Sequence, residues 1–142
     1  MTTTQIYQIF IKAEPEQIWQ AIIDPELTAQ YFHGSRITIT AQRRESFGPD
    51  GDPRGDGAVT VFDPPRKLVH EWRSLYDPEL AGEPASRVTW EIEPRDGYCL
   101  VTLIHDRLEA SPKTAANVTG RGWMFVLSGL KSVLETGKGL TG

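Results

Sequence analysis

Residues 118–137 read VTGRGWMFVLSGLKSVLETG, and the role of this stretch decides the fold of the chain. The stretch is apolar, but Arg121 and Lys131 lie inside it, and it falls short of the ~20 apolar residues that span a bilayer. It also lacks the Gly-Lys-Ser/Thr sequence of a phosphate-binding loop. The pattern instead predicts the packing helix of a globular domain.

At about 100° per residue, this helix has one apolar face that is wide enough to cover a sheet. The apolar face and its flanks comprise Trp123, Leu127, Leu130 and Leu134, with Val126 and Val133 beside them. Ser128, Lys131 and Glu135 lie on the solvent side. We predict that the helix begins at Ser111-Pro112 and ends near Gly137, with Gly129 allowing a close approach on another flank.

Met124 and Phe125 do not fit the apolar face of this helix. A neighbouring loop that covers the start of the helix would explain them as part of the core. The alternative is an exposed patch at a homodimer contact or at the mouth of a cavity. Both interpretations stay open at the level of sequence.

The rest of the chain predicts one strand, two short helices and then several antiparallel strands. A strand over 6–12 precedes a helix whose stripe contains Ile18, Trp19 and Ile22, and a second short helix runs to about Phe32. We expect 45–57 to be a turn-rich hairpin loop. The other predicted strands cover 36–40, 58–63, 67–75, 87–93 and 98–106, and one helical turn falls within 76–86.

Bulk composition indicates a single domain, residues 1–142, of ordinary globular character. The net charge of −4 gives no reason to expect binding to nucleic acid or to a membrane. Cys99 is the only cysteine, and the N-terminus has no basic segment followed by a long apolar run. We therefore expect a reducing, cytoplasmic location.

Four stretches resemble the activator of heat-shock-protein-90 ATPase homologue-like family, of the START-like (SRPBCC) helix-grip superfamily. They are AEPEQIWQAIIDPELTAQYF (13–32), DPPRKLVHEW (63–72), WEIEPRDGYCLVTLIHDRL (90–108) and GWMFVLSGLKSVLETG (122–137). The resemblance implies an α+β fold in which a curved antiparallel sheet wraps around a long C-terminal helix, with two short helices after the first strand. It also implies a cavity between sheet and helix that holds an apolar ligand.

Alternate residues of a strand face the same side, which allows the cavity lining to be predicted. The candidate ligand-binding residues are Tyr31, Phe32, His70, Trp72, Trp90, Leu103, His105, Trp123 and Leu127. Such a lining would be apolar with a few polar groups, as ligand sites generally are. The alternative is that these aromatic side chains simply fill a solid core.

No motif for a metal, a cofactor or a catalytic residue stands out, so we predict none of them. His105 is either a buried histidine satisfied by a backbone group or a polar group inside the cavity. Three functions remain open: binding of an apolar or aromatic small molecule, a cyclase- or aromatase-like enzyme that uses the same cavity, and a co-chaperone-like or stress-response protein. We lean towards the binding protein.

Overall fold

A computed structural model describes residues 4–119 and 121–140, so Gly120 of the stretch quoted above lies outside the described residues. The strands, in chain order, are β1 Gln5–Ile11, β2 Arg36–Ile39, β3 Arg43–Phe47, β4 Pro53–Asp63, β5 Lys67–Ser74, β6 Ser86–Pro94 and β7 Cys99–Asp106. The helices are α1 Pro15–Ile23, α2 Pro25–Thr28, α3 Pro78–Ala81, α4 Pro112–Val118 and α5 Arg121–Thr136. Within the described ranges, no helix is long and apolar enough to cross a membrane.

The strands form one antiparallel seven-stranded sheet in the order β1-β7-β6-β5-β4-β3-β2. The pairing register shifts between Val59 and Val61 where β4 meets β5, and between Ser46 and Phe47 where β3 meets β4. Such irregularities bend a sheet and increase its twist. The sheet curves around α5, so the predicted α+β helix-grip architecture is confirmed.

Alternating burial on β5, β6 and β7 places the core on one face of the sheet, as the sequence predicted. On β6, Val88, Trp90 and Ile92 are at most 4% exposed, while the residues between them are only partly buried. Against this face lies the predicted apolar face of α5, in which Trp123, Val126, Leu127, Leu130 and Val133 are buried. Burial of each such side chain contributes about 1.5–3 kcal/mol, which makes this contact the main stabilising layer.

A close approach between α5 and the segment after α2 requires a glycine at position 129. A Cβ on Gly129 would lie 2.9 Å from the Cβ of Tyr31, which is closer than side chains normally pack. The hydroxyl of Tyr31 in turn donates a hydrogen bond to the carbonyl oxygen of Ala21, at 2.8 Å. This confirms the close approach predicted for Gly129 and joins both short helices to α5.

Two predictions about the elements are wrong. Most of 45–57 is strand, since β3 and β4 leave only 48–52 as the turn between them. The inward side chains of β3 are Arg44 and Ser46, which are polar and so gave no strand-like alternation of apolar residues. The helix predicted from Ser111-Pro112 to Gly137 is two helices, because Thr119 has an extended backbone (φ −68°, ψ 150°) between them.

Candidate ligand-binding cavity

A cavity of about 510 Å³ lies between the start of α5 and the inner face of the sheet at β3, β4 and β5. Its volume is in the range of natural small-molecule sites. The aromatic side chains that line it are Phe32, Trp72, Tyr76 and Trp123, and the arginines are Arg44, Arg54 and Arg73. The sheet and helix therefore do not close into a solid core at this end.

Three aromatic rings form one wall of the cavity. The ring centroids of Trp72 and Trp123 are 5.3 Å apart, and Phe32 lies edge-on to Trp123 at 5.9 Å. Trp72 is supplied by β5, Trp123 by α5 and Phe32 by the segment after α2, so the wall depends on three separate elements. Such a wall offers large apolar faces against which a planar ligand can stack.

Arg44, on β3, is a buried cation at this wall. The residue is 3% exposed, and its guanidinium carbon lies 4.4 Å from the centroid of the Trp72 ring and 5.8 Å from that of Phe32. Among the described residues, its guanidinium makes no hydrogen bond and no ion pair. Burial lowers the pKa of Arg44 to about 10, so the guanidinium remains charged at neutral pH.

The other charges that line the cavity are already paired. Arg73 donates two hydrogen bonds to the carboxylate of Asp56, at 3.0 and 2.9 Å. Arg54 lies 3.7 Å from the carboxylate of Asp52 and donates to the carbonyl oxygen of His33 at 3.2 Å. The cavity thus contains one positive charge, that of Arg44, without a partner among the described residues.

His105 lies behind the aromatic wall and is fully satisfied by side chains. The indole N–H of Trp123 donates to Nδ1 of His105 at 3.0 Å, and Nε2 of His105 lies 2.7 Å from the hydroxyl of Ser86. Because an indole nitrogen can only donate, Nδ1 must be the unprotonated nitrogen and Nε2 carries the hydrogen. Burial lowers the pKa of His105 to about 4, so the ring is neutral at physiological pH.

His70 borders a void of about 10 Å³ beneath the cavity, just large enough for one water molecule. Its Nδ1 lies 2.9 Å from the carbonyl oxygen of Glu71, which requires the hydrogen to be on Nδ1. Burial lowers the pKa of His70 to about 3, and the nearby positive charge of Arg44 lowers it further. Trp72 borders the same void, and its indole N–H is buried without a partner in the described part of the chain.

The structure distributes the nine predicted ligand-binding residues over different surroundings. Phe32, Trp72 and Trp123 line the large cavity, whereas His70 and Trp90 border only the small void. Tyr31 borders this void and a second cavity, described below. Leu103, His105 and Leu127 line none of these three spaces and are buried in the core.

Sequence reasoning missed Arg44, Ser46 and Ser74, which all line the large cavity and are all less than 5% exposed. Ser46 lies in the segment that was predicted to be a loop, and Arg44 directly precedes it, where polar residues are expected to face solvent. The available signal was the two-residue spacing of Arg44 and Ser46, which is typical of one face of a strand.

The second cavity, of about 500 Å³, lies beside the start of α5 and is lined in part by Tyr31, His33, Phe125 and Leu140. Phe125 stacks on His33 with a centroid distance of 5.2 Å and an interplanar angle of 14°. Phe125 is therefore partly covered by a neighbouring segment, as one interpretation predicted. Met124 is 50% exposed.

Several solved structures are similar to this one over nearly the whole chain. Protein MLL2253 from Mesorhizobium loti has a TM-score of 0.75 and 19% identity, covering 93% of this chain and 96% of its own. The Aha1 dimer from Colwellia psychrerythraea has a TM-score of 0.72 and 22% identity, covering 96% and 98%. DynU16, from the dynemicin biosynthetic locus, has a TM-score of 0.78 and 22% identity. The match covers 98% of this chain but only 49% of DynU16.

At these identities the likeness establishes the fold alone. Among curated proteins, none matches the chain significantly. The model of one protein family matches residues 12–135, which is most of the chain and includes the aromatic wall, Arg44 and nearly all of α5. The chain therefore belongs to the family described as activator of Hsp90 ATPase homolog 1-like protein.

Proposed function

We propose that this protein binds an apolar or aromatic small molecule in the cavity between its sheet and its C-terminal helix. The observation that carries this proposal is the open cavity of about 510 Å³ against the rings of Phe32, Trp72 and Trp123. A protein of this size gains stability by closing such a space, since unfilled apolar volume costs packing energy. A cavity bordered by three large rings is therefore better explained by an occupant than by the needs of folding.

The enzymatic alternative receives less support from the geometry. That alternative requires acid–base groups that converge in the cavity. The sequence offers Tyr31, which borders only the second cavity and the small void, and two histidines, His70 and His105. Neither lines the large cavity, and burial holds the pKa values of both well below neutrality, so they do not exchange protons readily at pH 7. The co-chaperone alternative rests on the family description, and no contact among the described residues bears on it.

Calorimetric titration with 2-naphthamide, a neutral planar probe, tests the binding function. We expect saturable binding with a Kd on the order of 1 mM, because ~0.3 kcal/mol per heavy atom amounts to about 4 kcal/mol for a probe of this size. Asn117→Trp should weaken it, because Asn117 is an exposed residue on the cavity rim. The matched control is Ala116→Trp, which adds the same ring at the adjacent exposed position that does not line the cavity.

Absence of saturable binding by the wild-type protein, or equal weakening by both tryptophan variants, would contradict the proposal. Since Asn117 accepts a hydrogen bond from the Tyr76 hydroxyl at 2.7 Å, its replacement also removes that contact. Ser74→Leu, which narrows the cavity from the β5 side, provides an independent obstruction and should weaken binding as well. Native mass spectrometry of the purified protein would show whether a natural ligand is retained.

We also propose a homodimer contact through Met124 and Phe125. Met124 is half-exposed at the start of α5, and one of the similar structures is a dimer. The exposed thioether is suited to such a contact, because methionine adapts to irregular apolar surfaces. A cytoplasmic location is part of the same proposal and is supported by the free, buried thiol of Cys99.

A further inference from the structure

Arg44 is the one cavity-lining arginine whose guanidinium forms no hydrogen bond or ion pair with a carboxylate among the described residues, and the Asp56 carboxylate acts on it only at longer range. A buried charge without a partner is costly, and proteins normally pair such groups or leave them out. Here the guanidinium is held against the ring of Trp72 at 4.4 Å, which fixes its plane beside the cavity without satisfying its N–H groups. A side chain in this situation is ready to receive an anion.

Two further unpaired polar groups lie beside Arg44. Ser46 and Ser74 are 4% and 3% exposed, line the cavity, and make no hydrogen bond through their hydroxyls to any described residue. Gly55 separates them, because it pairs with Ser46 on β3 and with Ser74 on β5. The three residues thus form a row across three neighbouring strands.

Gly55 leaves open the space between these groups. A Cβ at this position would lie 3.0 Å from the carbonyl oxygen of Arg73, 3.2 Å from Nη1 of Arg44 and 3.8 Å from the Cβ of Ser46. The missing side chain creates a small cradle, with the guanidinium on one side and the two hydroxyls around it. We call this group, formed by Arg44, Ser46, Gly55 and Ser74, the Arg44 cradle.

We propose that the Arg44 cradle binds the carboxylate of a planar aromatic acid whose ring lies against Trp72 and Trp123. This inference rests on the proposed function, because it names the class of ligand that the same cavity takes. A guanidinium presents parallel N–H groups that match the two oxygens of a carboxylate, and the serine hydroxyls can donate to the same oxygens. The three-ring wall provides the surface for the aromatic part of the ligand.

The charge count favours a monoanion over a phosphate. Arg73 and Arg54 are already engaged by Asp56 and Asp52, so a dianionic group would meet a single uncompensated positive charge. A carboxylate neutralises that charge once, which leaves no net charge in the buried part of the cavity. The aromatic wall disfavours a ligand that is polar throughout, since its surface would be desolvated without compensation.

The test compares two probes of nearly the same shape, 2-naphthoate and 2-naphthamide, by calorimetry at pH 7.5 and fixed ionic strength. Hydrogen bonds to a charged group are worth about 1.5–3 kcal/mol, so we expect naphthoate to bind at least ~10-fold more tightly to the wild-type protein. In Arg44→Gln the ratio of the two affinities should fall to about one. Arg36→Gln, which removes an exposed arginine of β2 outside the cavity, should keep the wild-type ratio.

Two further variants keep the test decisive if Arg44→Gln does not fold. Gly55→Ala keeps the Arg44 charge but places a methyl group 3.2 Å from its Nη1, so the guanidinium must shift as the cradle fills. Arg44→Lys keeps the charge but loses the paired donors. Both should reduce the naphthoate preference. Equal binding of the two probes by the wild type would overturn the carboxylate proposal and leave the proposed function standing, whereas no binding of either probe would overturn both. A naphthoate preference that survives in the Arg44 and Gly55 variants would show that the cradle is not the anion site.

Discussion

Replacing Arg44 with methionine should stabilise the unliganded protein, although most substitutions of buried residues destabilise. Burial lowers the pKa of Arg44 from its ordinary 12.5 to about 10. Since each pH unit between two pKa values corresponds to about 1.4 kcal/mol, burial costs the charged form on the order of 3 kcal/mol. The contact of the guanidinium with Trp72 at 4.4 Å returns about 1–2 kcal/mol of this.

Methionine fills comparable space with a flexible apolar chain and brings no charge to desolvate. The expected net effect is a gain of about 1–2 kcal/mol in the free energy of unfolding, or roughly 3–8 °C in Tm for a chain of this length. Urea unfolding at pH 7.5, followed by circular dichroism, measures it without relying on the tryptophans of the cavity. Arg36→Met is the matched control and should change stability by no more than about 0.5–1 kcal/mol, because Arg36 is exposed and its ion pair with Glu26 is a surface pair.

A loss of 1 kcal/mol or more in Arg44→Met would refute this reasoning. It would mean that the guanidinium already makes a stabilising interaction in the unliganded folded protein. An unchanged stability would also count against it, because the cation–π contact alone is too small to cancel the expected cost of burial. The same variant should lose the preference for naphthoate over naphthamide.

Three further predictions concern other parts of the molecule. Because the folded-state pKa values of His70 and His105 are about 3 and 4, below the ordinary 6.5, their contribution to stability is fully present above about pH 6.5 and is lost as the pH falls towards 4. For each histidine, the free energy of unfolding should fall by up to about 2 kcal/mol between pH 6.5 and pH 5. In urea unfolding, the stability of His105→Gln should therefore depend less steeply on pH than that of the wild type. Gly129→Val should lower the free energy of unfolding by about 2 kcal/mol or more through collision with Tyr31, whereas Ser128→Val on the exposed face should have little effect. Met124→Glu should convert a dimer to a monomer, as measured by analytical ultracentrifugation. A wild-type protein that is still monomeric at a concentration of about 100 μM would exclude the proposed contact.

The apolar periodicity of the sequence predicted which faces of the strands and of the last helix are buried, but not the helix-grip fold itself. Trp90 and its neighbours at two-residue spacing identified the inner face of β6, and Trp123 and Leu130 identified the inner face of α5. The family resemblance then supplied their arrangement. The beginning of α5 could not be located in this way, because the turn at Thr119 depends on a backbone conformation that interrupts an otherwise helical pattern.

The cavity was harder to predict than the core. Periodicity indicates which face of a strand is turned inward, but it does not indicate where the inner space is filled and where it stays open. His105 and Leu103 face inward and are buried in the core, while Trp72, on a neighbouring strand, reaches the cavity. Arg44 was not among the predicted cavity residues, because an arginine between polar neighbours is normally exposed to solvent. In the structure it is only 3% exposed.

The most direct test of the central claim is a titration of the protein with 2-naphthoate, followed through its four indole N–H signals by nuclear magnetic resonance. We predict that the signals of Trp72 and Trp123 shift and saturate with one common Kd, because both rings line the cavity. The signal of Trp19, which packs against Phe62 away from the cavity, should stay in place and serves as an internal control. Unchanged signals of Trp72 and Trp123 at saturating probe, or an equal shift of Trp19, would contradict the claim that this cavity is a binding site.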